Sequence, residues 1–359
     1  MRFPVVTCLC LAVLAPGQRV MAQEEPGRSG LTSANGPWEP IGELPADQAG
    51  GGRGYALAGE GATVAEPGTS RIAVHMVGAN YFYREQTTDY LITQRYESHT
   101  VALDFRRGFK AAHGPRFELG AQVQFSERDG GFLNGVIASF ESLSLSVSGV
   151  PSAKNELRTL GTPLPLGAFV TRNGRAVYAA PGGTAGIGDV SVVAKALLLD
   201  APPGSRGTRL AARVGMNISG KSQFAEGHFV GVGVGFDSKV LSWAAVHGDV
   251  RATVALDRMS SWNLPLKRTT VGFSIGPELR LSRGSSLSMQ LDGNTTPYLP
   301  TGTTAFDRGY GSITIGAGHR FGSVVSQLYV RENMNLPFRV RWNTEPDASF
   351  GIKISFRPH

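Results

Sequence analysis

The stretch Arg209-Leu210-Ala211-Ala212-Arg213-Val214-Gly215-Met216-Asn217-Ile218 decides the fold class. Leu210, Ala212, Val214, Met216 and Ile218 alternate with Arg209, Ala211, Arg213, Gly215 and Asn217. Successive side chains of a strand point to opposite faces, so this segment has one greasy face and one polar face. The same period places Phe117, Leu119, Ala121, Val123 and Phe125 opposite Arg116, Glu118, Gly120, Gln122 and Gln124. It returns where Val271, Phe273, Ile275, Leu279 and Leu281 oppose Gly272, Ser274, Gly276, Glu278 and Arg280. Such a length, about nine to eleven residues, is what a tilted strand needs to cross a bilayer. The polar face is rich in Gly, Ser, Gln and charges of both signs, where a water-facing sandwich usually carries abundant Lys. That mixture suits the crowded interior of a narrow barrel.

Working outward, the period predicts about twelve strands, near 71–83, 97–107, 115–126, 188–199, 208–218, 228–237, 243–256, 269–282, 286–292, 309–320, 323–332 and 347–357. Gaps after even strands are short, as at Asp200 to Ser205 and Arg283-Gly284-Ser285. Gaps after odd strands are long: 84–96, 127–187, 257–268, 293–308 and 333–346. Short turns at one end and long loops at the other mark an outer-membrane barrel with periplasmic termini. Aromatic residues gather near segment ends, including Tyr81, Phe82, Tyr83, Phe105, Phe109, Phe117, Phe125, Trp243, Phe321, Phe350 and Phe356, as in interfacial girdles. The expected fold is all-β, a transmembrane antiparallel β-barrel of about twelve strands with a long, partly helical loop insertion.

Gly supplies 47 of the 359 residues, nearly twice the usual share of about 7%. Beyond the N-terminus no run of about 18 apolar residues exists, which excludes a helical membrane protein. Recurrent aromatic and β-branched residues with modest charge exclude a long disordered chain. Arg2, the apolar run Val5 to Leu14 and Val20-Met21-Ala22 read as a secretory signal over 1–22. Both cysteines, Cys8 and Cys10, lie in it, so the exported chain has no disulfide. Removal takes Arg2 and Arg19 but no acid, lowering the net charge from +7 to +5. Residues 23–69 form a Gly/Pro-rich periplasmic segment, read as a loosely packed tail. A barrel plug or a docking segment is the alternative. The barrel occupies 70–359, with 127–187 as its longest loop.

Within that loop, Phe132, Leu133, Val136, Ile137, Phe140 and Leu143 have the stripe spacing of a short amphipathic helix. Gly130-Gly131-Phe132-Leu133-Asn134-Gly135, this helical insertion and Gly186-Ile187-Gly188-Asp189 at the next strand resemble the bacterial family called domain of unknown function 3187. The resemblance spans roughly 70–359 and implies an outer-membrane barrel, with no activity attached. Asn134 stands where that family more commonly has Asp.

Other motifs dissolve in context. Gly215 to Ser222 fits G-x-x-x-x-G-K-[ST], yet a P-loop must open a helix, and this one begins in a strand and leads to another. Gly231, Gly233 and Gly235 lie within a strand, where alternate glycines make room for bulky neighbours across a lumen. His247 and Asp249 share a face, but no Ser on that strand joins them as a nucleophile. The sequence thus points to no enzyme, no cofactor, no metal site and no nucleic-acid partner.

Two function classes follow. The first is a narrow channel or carrier for small polar or anionic solutes. Arg116, Glu118, Gln122, Gln124, Arg209, Arg213, Asp249, Arg251, Glu278 and Arg280 line its lumen, and the helix carrying Phe132, Leu133, Val136, Ile137 and Phe140 constricts it. The second is a closed structural or adhesive barrel acting through its loops, with a barrel-embedded lipid hydrolase as a more remote form. Expected partners are outer-membrane lipid, the outer-membrane assembly machinery and small solutes. N-terminal sequencing of the exported protein is expected to begin at Gln23; a start at Met1 would refute the signal reading.

Overall fold

The computed structural model describes residues 39–45, 57–112, 114–131, 164–201, 206–219, 222–225, 227–333 and 348–356. Its strands are β1 (Ser70–Gln86), β2 (Tyr90–Lys110), β3 (Arg116–Asp129), β4 (Gly167–Arg172), β5 (Arg175–Pro181), β6 (Thr184–Leu199) and β7 (Gly207–Ser219). They continue with β8 (Phe229–Leu241), β9 (Ala244–Ala255), β10 (Thr269–Arg280), β11 (Ser285–Asn294), β12 (Tyr310–Phe321), β13 (Val324–Asn333) and β14 (Ala348–Phe356). One helical turn, α1 (Thr304–Asp307), lies between β11 and β12. Each strand pairs antiparallel with its neighbour, and β3 passes directly to β6. β1 closes the ring, pairing with β2 on one side and with β14 from Ile72↔Phe356 to Asn80↔Ala348 on the other. Twelve strands form a closed barrel, and the β4–β5 hairpin is an extra flap bonded to the start of β2.

The alternation behaves as the pleat requires. Leu119, Phe125, Val214, Met216, Val232, Val234, Val250, Phe273, Ile275, Ile315 and Val330 are exposed on the outside. Glu118, Lys195, Arg213, Asp249, Arg251, Glu278, Gln290, Asp292, Gln327 and Arg331 are buried within. A soluble protein rarely shows so continuous an apolar surface. In hydrocarbon the arrangement is natural, since closure leaves no unpaired backbone edge.

Loops sort by end. At the end that holds the start of β1 and the end of β14, the strand bounds leave only short connections: five residues between β2 and β3, seven between β6 and β7, two between β8 and β9, four between β10 and β11 and two between β12 and β13. The longer connections lie at the other, loop end. One expectation is corrected there: β1 runs to Gln86 and β2 begins at Tyr90, so most of 84–96 is strand and the connection is a tight turn at 87–89. The reason is packing above the barrel. Tyr81, Tyr83, Tyr90, Ile92 and Tyr96 bury against Tyr178, Trp262, Leu264, Tyr298 and Phe306 instead of forming an outer girdle. Tyr81 stacks on Tyr96 at 4.4 Å and Tyr178 on Trp262 at 4.9 Å, while Phe306 meets Trp262 edge-on at 5.6 Å. The amides of Thr304 and Ala305 donate to Glu85 at 2.6 and 2.8 Å, which ties this cap to β1.

The predicted loop helix, with Phe132, Leu133, Val136, Ile137 and Phe140, lies outside the described residues. Of 127–187, β3 takes the residues up to Asp129 and β6 those from Thr184, and the described residues between them hold the β4–β5 hairpin. Closure makes a gel prediction. The protein should migrate differently in SDS before and after boiling, and one unshifted band would argue against a closed barrel.

Candidate functional site

The lumen between the turns and the aromatic cap is occupied by the chain's own N-terminal segment. Described residues 39–45 and 57–69 run through it, bonded to the wall nearly all the way round. The Ile41 and Gly42 amides donate to Glu278 of β10 at 2.7 and 2.9 Å. Gln327 of β13 donates to the carbonyls of Gly42 and Glu43 at 3.3 and 3.2 Å. The Thr63 hydroxyl donates to Asp237 of β8 at 3.0 Å, and the Ala65 amide to Glu118 of β3 at 2.7 Å. Arg320 at the end of β12 faces Glu39 at 3.5 Å, and Arg116 of β3 pairs with Glu66. A chain that meets strands on opposite sides must cross the lumen. The tail read as loosely packed is, in these described parts, a tethered plug. Its composition of Gly, Pro and small residues looks like a linker because the wall supplies most of the polar partners.

The wall is shaped for it. A Cβ at Gly235 would lie 2.5 Å from the Glu60 carbonyl, and one at Gly318 would lie 2.7 Å from Ile41. Of the P-loop-like stretch, Gly215 to Ser219 stay in β7, and Ser222 beyond it accepts from the Phe224 amide at 3.2 Å.

Two carboxylates of the segment reach the barrel interior. Glu43 and Asp249 both contact the Ser274 hydroxyl, which has one proton to give. Burial first, then the neighbouring Asp249 and Asp292, pushes the Glu43 carboxyl up to about 8, against the Ser274 hydrogen bond and Arg213. Glu60 is the opposite case. Burial works against its charge, but Arg106, Lys195, Arg213 and Arg71 together hold it well below the usual carboxylate range.

The lumen residues expected from the sequence fall into two groups. Glu118, Arg213, Asp249, Arg251 and Glu278 are buried inside, and Gln122 and Gln124 line a cavity of about 180 Å³ beside the segment. Arg116, Arg209 and Arg280 sit at the turn-end rim, where Arg116 and Arg209 meet Asp200 and Arg280 bonds the Ser282 carbonyl. Asp249 accepts from both Arg213 and Arg251, the latter at 2.9 Å. His247 does not pair with Asp249; its ring nitrogens face Asp237 and Glu278, each at 2.8 Å. Residues two apart on one strand share a face, but the nearer partners of His247 are cross-strand, on β8 and β10.

The sequence reading missed Arg71, Arg106 and Lys195, which converge on Glu60. Their inward parity was legible; their convergence on a residue of the tail was not. It also missed Glu97, His99 and Asp129 near the loop end, whose ligating atoms lie within 4.8 Å of one another. Asp129 stands on the neighbouring strand, so no linear spacing announces that group.

No family model matches the chain, and no curated protein does; the resemblance to domain of unknown function 3187 rests on the motif alone. Solved structures do match. An outer-membrane channel of Pseudomonas putida F1, described as COG4313, aligns at TM-score 0.55 and 12% identity, over 83% of this chain and 98% of that one. The P. putida toluene transporter TodX aligns at 0.40 and 11%, over 87% and 100%. A KdgM porin aligns at 0.39 and 7%, over 80% and 99%. At that identity the P. putida F1 channel shows a shared fold, the closed barrel of outer-membrane channels.

Proposed function

We propose that this protein is an outer-membrane channel or carrier for small anionic or polar solutes, closed at rest by its N-terminal segment. Export by the 1–22 signal puts the turn end in the periplasm and the loop end outside. The observation that carries the reading is the segment itself. It fills the lumen through hydrogen bonds and ion pairs with polar wall groups, the type of contact that water and a solute can replace. A purely structural barrel has a simpler route, a narrower ring of about eight strands whose interior is filled by wall side chains alone.

The solute preference follows from the lumen's cations. Arg213 and Arg251 share one acid, Asp249, and in a confined space their field is screened less than at an open surface. The rival structural reading has support in the same pairing, because a shared acid between strands also stitches them together.

Docking of the segment depends on pH through Glu43. Free in water its carboxyl ionises near the usual 4.5; docked, it holds its proton up to about 8. Docking therefore takes up a proton between those values. Its contribution is full below the lower one and is lost as pH rises through about 8.

Two measurements check the proposal. Arg213→Glu with Arg251→Glu should move the reversal potential in a salt gradient toward cations; unchanged ion preference in a heat-modifiable double variant would reject the luminal selectivity. Channel opening in planar bilayers should increase as pH rises from 4.5 to about 8 and level off above it, and Glu43→Gln should flatten that rise. An equal rise in wild type and Glu43→Gln would show that Glu43 does not govern docking.

A further inference from the structure

Two cross-strand oppositions in the wall around Glu60 run against the usual logic of a sheet. Directly opposed residues on neighbouring strands normally carry opposite charges, since like charges there repel. Here Arg71 of β1 stands opposite Arg106 of β2, and Lys195 of β6, which has Glu118 of β3 opposite it on one side, stands opposite Arg213 of β7 on the other. All four are inward, and Lys195 and Arg213 are almost wholly buried. Two like-charged pairs in one part of the lumen need an anion between them.

Glu60 is that anion. One carboxylate oxygen faces Lys195 Nζ at 3.1 Å and Arg71 at 3.5 Å; the other faces Arg106 at 3.4 Å and Arg213 at 3.6 Å. Wall acids also serve three of the four cations: Glu118 lies 3.3 Å from Arg106 and 3.8 Å from Arg71, Asp104 lies 2.7 Å from Arg106, and Asp249 pairs with Arg213. Among the described residues Glu60 is the one ion-pair partner of Lys195.

The fit is loose. Charge-assisted N–H···O contacts settle at about 2.7–2.9 Å, and the Arg251–Asp249 pair in the same lumen reaches 2.9 Å. None of the four contacts to Glu60 does. Glu60 is held by the field of four cations, without a tight fork to any of them. Its neighbours are Gly59 and Gly61, and the 180 Å³ cavity, lined also by Lys353, adjoins the same cations.

We propose that Arg71, Arg106, Lys195 and Arg213 form a luminal binding site for a solute carboxylate, which Glu60 fills as a tethered stand-in. A carboxylate-bearing solute competes with Glu60 for the four cations, and its binding releases the segment from the wall. This deepens the channel reading and rests on it: the solute that opens the lumen is the solute the lumen carries. The strand register explains why the tether is needed at rest, since without it Lys195 loses its ion-pair partner among the described residues while standing opposite Arg213 in a confined space.

Calorimetric titration of the full-length folded barrel in detergent with sodium benzoate tests the site, with neutral benzamide as the control. Glu60→Gln removes the competitor while keeping its shape, so benzoate should bind about tenfold or more tightly than to wild type. Adding Lys195→Met to Glu60→Gln should remove most of that gain, and benzamide should bind none of the three. Equal benzoate affinity in wild type and Glu60→Gln, or a gain shared by benzamide, would overturn the proposal. Should Glu60→Gln lose its heat-modifiable band, Glu60→Asp replaces it. That variant withdraws the charge by one methylene and should give a smaller gain in the same direction; no gain would overturn the site. The channel reading fails separately, through the reversal potential of the Arg213 and Arg251 variant. Benzoate binding without charge-dependent conductance would leave a solute site in a barrel that does not conduct by that field.

Discussion

Every backbone N–H and C=O that enters hydrocarbon must find a partner within the protein, and this chain meets the demand by closing its sheet on β1. β1 pairs with β2 and β14 along matching registers, so neither the first nor the last barrel strand has a free edge in the membrane. The rest of the architecture follows from closure. The pleat sends alternate side chains to lipid and lumen, and a slip of one residue would exchange them all. At the bilayer midplane each outward Arg would cost roughly 2–4 kcal/mol. The register is therefore held by the same alternation that announces the strands.

Closure also creates an interior that twelve strands are too wide to fill from the wall alone. The protein fills it with two different materials. At the loop end, aromatic residues from β1, β2, β5, β8 and two loops bury together in an apolar cap, with Arg128 lying over Tyr96 at 4.7 Å and Phe224 at 4.9 Å. At the turn end, the N-terminal segment lies in a polar lumen and is bonded to it by amides and carboxylates. The cap has the chemistry of a protein core. The segment has the chemistry of a bound ligand, with wall acids taking its amides and wall cations taking its carboxylates.

That division gives the charged residues distinct tasks. Glu278 and Glu118 receive backbone amides of the segment and so work as docking points. Asp249 gathers Arg213, Arg251 and Ser274 on the wall. Arg71, Arg106 and Lys195 face inward toward a carboxylate that belongs to the segment. Gly235 of β8 and Gly316 and Gly318 of β12 lower the wall where the segment passes, while Gly233 of β8 leaves room for Arg213 and Arg251 of the wall itself.

Period and strand length were sufficient to determine the fold, because they are local consequences of crossing a bilayer in tilted strands, whereas loop sorting failed at the β1–β2 turn. The twelve barrel strands lie close to the segments read from alternation, and the inward parity of Glu118, Arg213, Asp249, Arg251 and Glu278 follows from the same pattern. Three features were decided only in three dimensions. Tyr81 and Tyr83 resemble girdle residues until the loops that cover them are placed. The 39–45 and 57–69 stretches resemble a linker, since nothing local distinguishes a glycine needed for flexibility from one needed for close approach. The cation set around Glu60 joins residues of β1, β2, β6 and β7 to one residue of the tail. Each strand carries its part in plain sight, but only closure of the barrel brings the four charges to a common point, and only the threaded segment supplies the anion between them.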